Sequence, residues 1–264
     1  MNIHSITPDV TVLSDFIEVP SLGFLPVNTY VLHAAEPVVI DTGLSNADKD
    51  FLGALSRVID PADVRWVWLT HPDRDHTGGL WRLLDAAPQA RLVSSFIGVG
   101  LLSCQWNIPM DRVYLLNPGQ RLGVGDRDLI GFRPPLFDNP ATVGVFDTRS
   151  GALFSSDCFG APLSSAELAT APDAQAAEAE LTAAQRLWVA VDSPWIHLVD
   201  AEKYSATVDP VRGLDPSGIY STHLPPARGL NERLFDLADA APEVPAFVGP
   251  DQRELEAMLA TLQP

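Results

Sequence analysis

The loop at residues 70–79 constrains this chain more than any other segment. An apolar stretch, Trp66 to Leu69, leads directly into THPDRDHTGG, where two histidines and two aspartates occupy the six positions from His71 to His76. A loop at the end of a strand brings alternate side chains to one place at the edge of a sheet. Converging imidazole and carboxylate groups are common ligands of divalent metal ions. The sequence therefore predicts a metal site on this loop.

A polar turn is the alternative interpretation of the same loop. In that case Asp75 caps a helix that begins at Thr77, and the two histidines are simply solvated. A single histidine or aspartate would favour the turn. Four potential ligands directly after an apolar strand favour the metal site.

Strands and helices alternate on both sides of this loop. Each half reads as strands followed by helices, which predicts two sheets packed face to face with helices outside, an α/β fold of αββα four-layer architecture. The chain has 264 residues, 46% of them hydrophobic, and no fixed repeat or internal linker. We therefore expect one domain over residues 1–264. The predicted strands are 10–13, 16–19, 28–33, 38–40, 66–69, 91–94, 113–116, 128–133, 142–147, 152–155 and 218–221, and the predicted helices are 48–59, 80–86, 97–104, 174–191, 204–214 and 252–262.

Charge and composition limit the partners. The 34 acidic and 17 basic residues give a formal net charge of −17, which repels nucleic acid and anionic membrane surfaces. No apolar stretch is long enough to span a membrane, and the first residues carry no export signal. Cys104 and Cys158 give neither a disulfide framework nor a metal knuckle. We expect a cytoplasmic protein that binds neither nucleic acid nor membrane.

The loop resembles the metal-binding signature of the metallo-β-lactamase fold superfamily. That signature is HxHxDH, and it stands here as HxDxDH, with Asp73 at the departure. Flavodiiron proteins and related oxygen-binding di-iron proteins carry HxExDH, so Asp73 resembles a shortened form of their glutamate. Further similarity runs collinearly from the segments 28–30 and 39–43 to the segment 221–225. The resemblance is closest to the flavodiiron branch, without its flavodoxin domain.

The resemblance implies a set of metal ligands. Asp138 stands where the family has a histidine, Asp157 ends a strand in the sequence LFSSDCFG, and His223 matches the last histidine of the family set. In this interpretation Asp157 bridges two ions. The first ion is held by His71, Asp73, Asp138 and Asp157, and the second by Asp75, His76, Asp157 and His223.

The implied cofactors are two divalent metal ions. Iron is preferred, with manganese or zinc as alternatives, because oxygen-rich sites suit harder ions than zinc. Asp75 and Asp157 are the candidate catalytic residues. Asp41 is a candidate supporting residue behind the metal loop, although a simple Asx turn explains it equally well. Trp188 and Trp195 are interpreted as packing residues, and Cys158 as a buried core residue.

The resemblance implies a dinuclear, di-iron protein that binds, senses or reduces a small diatomic ligand, O2 or NO. Electrons would come from an external donor, a rubredoxin-like protein or a flavoprotein, and the family also implies a homodimer. A metal-dependent hydrolase of an ester, thioester, lactone or phosphoester is the second interpretation. A metal-poor binding or regulatory module is the third, because the replacements at Asp73 and Asp138 both fall on the first ion's side.

Overall fold

The computed structural model describes residues 1–44 and 50–262, and its strands form two sheets. The first sheet has seven strands in chain order, and the second has five. The first sheet contains β1 (Asn2–Thr7), β2 (Val10–Val19), β3 (Gly23–Leu32), β4 (Val38–Ile40), β5 (Trp66–Trp68), β6 (Arg91–Ser94) and β7 (Val113–Leu115). The second sheet contains β8 (Arg121–Gly123), β9 (Asp128–Phe132), β10 (Gly144–Asp147), β11 (Ala152–Phe154) and β12 (Gly218–Tyr220).

Strand direction decides where the loops of each sheet meet. Strands β4, β5, β6 and β7 are mutually parallel, so the loops after β4 and β5 leave the same edge of the first sheet. In the second sheet β9 and β11 are both antiparallel to β10, and β12 is parallel to β11. The loops after β9, β11 and β12 therefore also share one edge. Ligands commonly bind at the carboxyl ends of strands in α/β folds.

Helices follow the strands where polar side chains cap their first turns. Ser95 accepts a hydrogen bond from the backbone N–H of Gly98, and Asp200 accepts one from Lys203, which satisfies donors that a helix leaves free. Among the described residues, no helix has the length and apolarity needed to cross a membrane. The helices are α1 (Phe51–Leu55), α2 (Arg74–Thr77), α3 (Leu80–Ala86), α4 (Phe96–Ser103), α5 (Ala166–Ala169), α6 (Leu181–Asp192), α7 (Ala201–Arg212), α8 (Asn231–Asp239) and α9 (Gln252–Leu262).

Three buried apolar clusters define four layers. The cluster between the sheets joins Tyr30 and Trp68 of the first sheet to Phe154 and Tyr220 of the second. A second cluster packs α1, α3 and α4 on the outer face of the first sheet. A third packs α6, α7 and α8 on the outer face of the second sheet. The order helix, sheet, sheet, helix confirms the predicted αββα architecture.

The structure corrects several predicted boundaries. The strands predicted at 10–13 and 16–19 form one strand, β2, because β3 pairs with it along its whole length. The helix predicted over 174–191 is a short 3-10 turn, Ala174–Ala177, followed by α6. The predicted helix start at Asp48 lies outside the described residues, and that helix ends early at Leu55. The sequence did not predict β1, β8, α5 or α8.

Candidate metal centre

The seven predicted ligands converge although they come from loops far apart in the chain. Each loop follows the carboxyl end of a strand: β5, β9, β11 or β12. Their ligand atoms form overlapping groups in which all atoms lie within 4.8 Å of one another. The groups that hold the predicted ligands are His71, Asp73 and Asp138; Asp75, His76 and His223; and His71, His76 and Asp157.

The loop after β5 is not the polar turn of the alternative interpretation. Helix α2 begins at Arg74, its N-cap is Asp73, and Asp75 lies inside its first turn. The prediction of a helix start at Thr77 capped by Asp75 is therefore wrong. The early helix start turns Asp75 and His76 towards the second sheet, where Nε2 of His223 lies 3.3 Å from Oδ2 of Asp75.

All three histidines have Nε2 turned inward and Nδ1 turned outward. Nδ1 of His223 donates to the carbonyl of Pro26 at 2.7 Å, and Nδ1 of His76 lies 2.8 Å from Oδ2 of Asp41. A carbonyl or carboxylate oxygen only accepts, so each Nδ1 carries the proton. In the neutral ring Nε2 then presents a lone pair to the centre, as metal binding requires.

Hydrogen-bond direction fixes the tautomer of His71 as well. The hydroxyl of Ser156 donates to Thr70 at 2.9 Å, and the hydroxyl of Thr70 donates to Asp41 at 2.8 Å. Because the hydroxyl hydrogen of Ser156 is already donated to Thr70, Ser156 Oγ accepts a hydrogen bond from Nδ1 of His71 at 3.1 Å. Asp41 thus lies at the end of this series of hydrogen bonds and also contacts His76 directly. Asp41 therefore contacts Thr70 and His76 of the loop, which a simple Asx turn does not require.

The two carboxylate oxygens of Asp157 face different sides of the centre. Oδ2 lies 3.3 Å from Nε2 of His71, whereas Oδ1 lies 3.0 Å from Nε2 of His76 and 3.2 Å from Nε2 of His223. This division is what a carboxylate that bridges two ions needs. Among the residues that the structure describes, Nε2 of His76 and Oδ1 of Asp157 are also buried without a hydrogen-bond partner. Buried unsatisfied groups of this kind fit a site built for metal ions.

The two sides of the centre differ in their access to solvent. On the side of His71, the side chains of Asp73 and Asp138 are 43% and 34% exposed. On the side of His76 and His223, the side chain of Asp75 is 24% exposed and both histidines are buried. The first side is therefore open and the second nearly closed.

Unlike charges at close range dominate the electrostatics. Burial opposes a charge on His223, but Asp157 and Asp75 outweigh burial and raise its pKa to about 10. Burial would likewise raise the pKa of Asp157, but the histidines around it hold that pKa well below the usual range. The pKa of Asp138 is raised, first by burial and then by Asp157. The close contacts between opposite charges therefore stabilise the charged forms of His223 and Asp157, whereas Asp138 favours its protonated form.

Three further residues contact the centre, and the sequence analysis gave none of them a role in it. Asp192, the last residue of α6, groups with Asp138 and Asp157, and burial followed by those two carboxylates raises its pKa to about 8. Trp188 stacks against His223 with ring centroids 4.9 Å apart and donates to the carbonyl of Asp157. Asn139 donates to Oδ1 of Asp73 at 2.9 Å. No local sequence pattern marks Asp192 or Trp188, because they reach the centre from a distant helix.

The backbone around the centre includes uncommon conformations. Among the described residues, Asp41, Ser156 and Phe159 have φ values of 56°, 56° and 69°. Such values are uncommon for residues with a side chain and cluster at functional sites. Gly160 follows, and a Cβ atom there would lie 2.4 Å from Nε1 of Trp188. The backbone therefore turns sharply after Asp157 and passes close to the indole of Trp188.

This fold and this centre define a known class of protein. The sequence model of the metallo-beta-lactamase superfamily matches residues 22–223. The chain belongs to the metallo-beta-lactamase superfamily.

Its relatives within that class are flavodiiron proteins. The type A flavoprotein fprA of Rhodobacter capsulatus is 33% identical over 136 residues, which is 50% of this chain and 31% of that protein. The anaerobic nitric oxide reductase flavorubredoxin of Klebsiella pneumoniae is 26% identical over 134 residues, which is 50% of this chain and 28% of that protein. The chain therefore matches about a third of the length of these relatives.

Solved structures agree with this assignment at the level of the fold. Rubredoxin oxygen:oxidoreductase of Desulfovibrio gigas superposes with a TM-score of 0.76 at 17% identity, covering 92% of this chain and 61% of that one. The flavodiiron protein of Giardia intestinalis gives a TM-score of 0.77 at 16% identity, covering 92% and 60%. The similarity covers only the metallo-β-lactamase-like part of these proteins. The predicted resemblance is confirmed.

Proposed function

We propose that this chain is a flavodiiron-type metal core that holds two iron ions and binds, senses or reduces O2 or NO. The observation that carries the proposal is the division of the Asp157 oxygens between His71 on one side and His76 with His223 on the other. Its relatives support it, since one is named a nitric oxide reductase and another an oxygen oxidoreductase.

The residues fit two ions in the arrangement that the sequence predicts. His71, Asp73 and Asp138 group on the open side, and Asp75, His76 and His223 on the closed side, with Asp157 between them. Four aspartates balance the charge of two divalent ions. Bound iron would supply the redox chemistry that amino-acid side chains lack.

The chain's own residues would hold the ions and shape access to them. Asp41 holds His76, and through Thr70 and Ser156 also His71, with Nε2 pointing inward. Trp188 covers His223 and limits water on the closed side. The exposed carboxylates of Asp73 and Asp138 leave the open side as the entrance for a small ligand.

Several further properties belong to this proposal. We propose that residues 1–264 form one domain, that Asp75 and Asp157 are the catalytic residues, and that the protein acts in the cytoplasm. Electrons would reach the centre from an external rubredoxin-like protein or flavoprotein. A homodimer would follow the family pattern.

Metal analysis tests the proposal. The chain is produced in iron-supplemented medium and its metal content measured by inductively coupled plasma mass spectrometry, beside Asp157→Ala and the control Asp215→Asn. We expect about two irons per chain, retained in the control and lost in Asp157→Ala, and consumption of O2 or NO by the reduced protein under anaerobic mixing. Zinc or manganese together with hydrolysis of chromogenic esters would replace the proposal with a hydrolase. A metal-free protein would overturn both functions.

A further inference from the structure

A second cavity lies beside α7, and the proposed function does not use it. Its volume is about 770 Å³, and it lies between β9 with the loop that follows and the helix α7. Apolar side chains form most of its wall, among them Ile130, Phe132 and Val211. This volume and this lining are typical of a small-molecule site.

Two cations at the wall of this cavity have no acidic partner among the described residues. Arg133 stacks on Phe137, its guanidinium carbon 5.0 Å from the ring centroid, and its buried Nη1 has no hydrogen bond within residues 1–44 and 50–262. Lys203 also lines the cavity. In the part of the chain that the structure describes, neither cation forms an ion pair, although acidic residues outnumber basic ones by 34 to 17.

Two other polar groups lie at the cavity. Asp200 lines it and caps α7 by accepting the backbone N–H of Lys203 at 3.0 Å, and among the described residues its carboxylate forms no ion pair with Arg133 or Lys203. The hydroxyl of Tyr204, another lining residue, is buried and has no hydrogen-bond partner in the described part of the chain. A buried guanidinium nitrogen and a buried hydroxyl without partners are costly unless a ligand satisfies them.

We propose that this cavity binds a small amphipathic carboxylate, an aliphatic or aromatic acid with a single carboxylate group. Its apolar body would pack on Ile130, Phe132 and Val211, and its carboxylate would face Arg133 and Lys203. A carboxylate matches the planar fork of an arginine, and hydrogen bonds to charged groups are stronger than neutral ones. None of the residues that line the cavity is a predicted metal ligand, although Phe137 at its wall directly precedes Asp138.

Calorimetric titration with octanoate and with octan-1-ol tests the carboxylate. We expect saturable binding of one octanoate per chain, at least about tenfold tighter than octan-1-ol. Arg133→Gln should weaken octanoate binding about tenfold and leave octan-1-ol binding unchanged, since it removes the charge and keeps an apolar stem. Lys203→Gln should weaken octanoate binding by a smaller factor. Because Lys203 is exposed, this variant also provides the test if Arg133→Gln folds poorly. The control Arg57→Gln, at an exposed arginine outside the cavity, should change nothing.

A matched pair of variants on α7 tests the location. Thr207 and Ala206 are neighbouring exposed residues, and of the two Thr207 alone lines the cavity. Thr207→Trp should fill the space and abolish octanoate binding, and Ala206→Trp should retain it. The proposal is overturned if wild-type protein shows no saturable octanoate binding, if octan-1-ol binds equally well, or if the two tryptophan variants behave alike. None of these outcomes depends on the metal content, so they are independent of the proposed function.

Discussion

Oδ2 of Asp41 lies 2.8 Å from Nδ1 of His76, and Oδ1 of the same carboxylate accepts the backbone N–H of Thr70 at 2.9 Å. One buried aspartate therefore holds both the ring of a predicted ligand and the backbone at the start of the metal loop. A carboxylate behind a ligating histidine fixes its tautomer and increases its basicity. Asp41 thus holds His76 and the start of the loop without itself being a predicted ligand.

Asp41→Asn should weaken metal binding while preserving the fold. Asparagine tolerates the positive φ of this position, but its amide cannot accept from Thr70 and His76 as a carboxylate does. We expect a loss of about 10–100-fold in metal affinity, measured by competition with a metal-binding dye. Asp215→Asn is the matched control, because Asp215 also has a positive φ, of 51°, and lies on the surface away from the site. Equal affinities for the two variants would contradict the role of Asp41.

Asp138→His should tighten the open side of the centre. Oδ1 of Asp138 lies 3.9 Å from Nε2 of His71, and the flavodiiron pattern has a histidine at this position. A longer, neutral imidazole reaches further and relieves repulsion from Asp157. We expect the metal site on the open side to be occupied in a larger fraction of the molecules. Metal per chain after dialysis against a dilute chelator measures this occupancy. His33→Asp, the reverse change outside the centre, should leave occupancy unchanged, and a lower occupancy in Asp138→His would refute the assignment.

Asp192→Asn should stabilise the metal-free protein at neutral and higher pH. The folded state raises the pKa of Asp192 from 3.8 to about 8, so folding favours its protonated form. The folded state therefore binds more protons than the unfolded state between those pH values, and wild-type stability falls as pH rises from about 4 to 8. The stability of the asparagine variant should not fall for this reason, because its side chain does not titrate.

The expected gain is about 1–3 kcal/mol above pH 8 and close to zero at pH 4. Each unit of pKa shift corresponds to about 1.4 kcal/mol, and partial exposure of the site screens part of it. Urea unfolding of the chelator-treated protein at several pH values measures this gain. Asp209→Asn, at an exposed position on α7, is the control and should show no pH-dependent difference. A gain in Asp192→Asn that is independent of pH would rule out the electrostatic cause.

Gly160→Ala should destabilise the protein and disturb the closed side. The added Cβ would lie 2.4 Å from Nε1 of Trp188 and 2.9 Å from Cβ of His223, so the indole must move and lose its bond to the carbonyl of Asp157. We expect a loss of about 1–3 kcal/mol, typical of overpacking, with a lower metal affinity. Thermal unfolding and metal titration measure the two effects.

Gly100→Ala provides the opposite control. Gly100 lies inside α4, and a Cβ there would meet no described atom within 4 Å. Alanine is the better helix former, so this variant should gain about 0.5–1 kcal/mol. If both alanine variants stabilised the protein, the close approach at Gly160 would not matter.

Local sequence was sufficient for the features whose cause is local. An apolar strand before HPDRDH predicted the metal loop, because ligands on one loop are necessarily close. Alternating strands and helices predicted the αββα layers, because each amphipathic element must bury one face. Asp157 and His223 required the family resemblance, since no spacing rule connects them to His71. That these side chains bind metal stays a prediction.

Tertiary structure decided what depends on distant parts of the chain. Asp192 and Trp188 reach the centre only because α6 packs on the second sheet, and their sequence surroundings look like those of any packing helix. The inward direction of each Nε2 follows from hydrogen bonds to Pro26, Asp41 and Ser156, which belong to other strands and loops. The difference between the open and closed sides comes from burial. Burial and pairing arise when strand ends from two sheets meet, so the sequence determined which groups are present, and the packing of the sheets decided their distances, protonation and access.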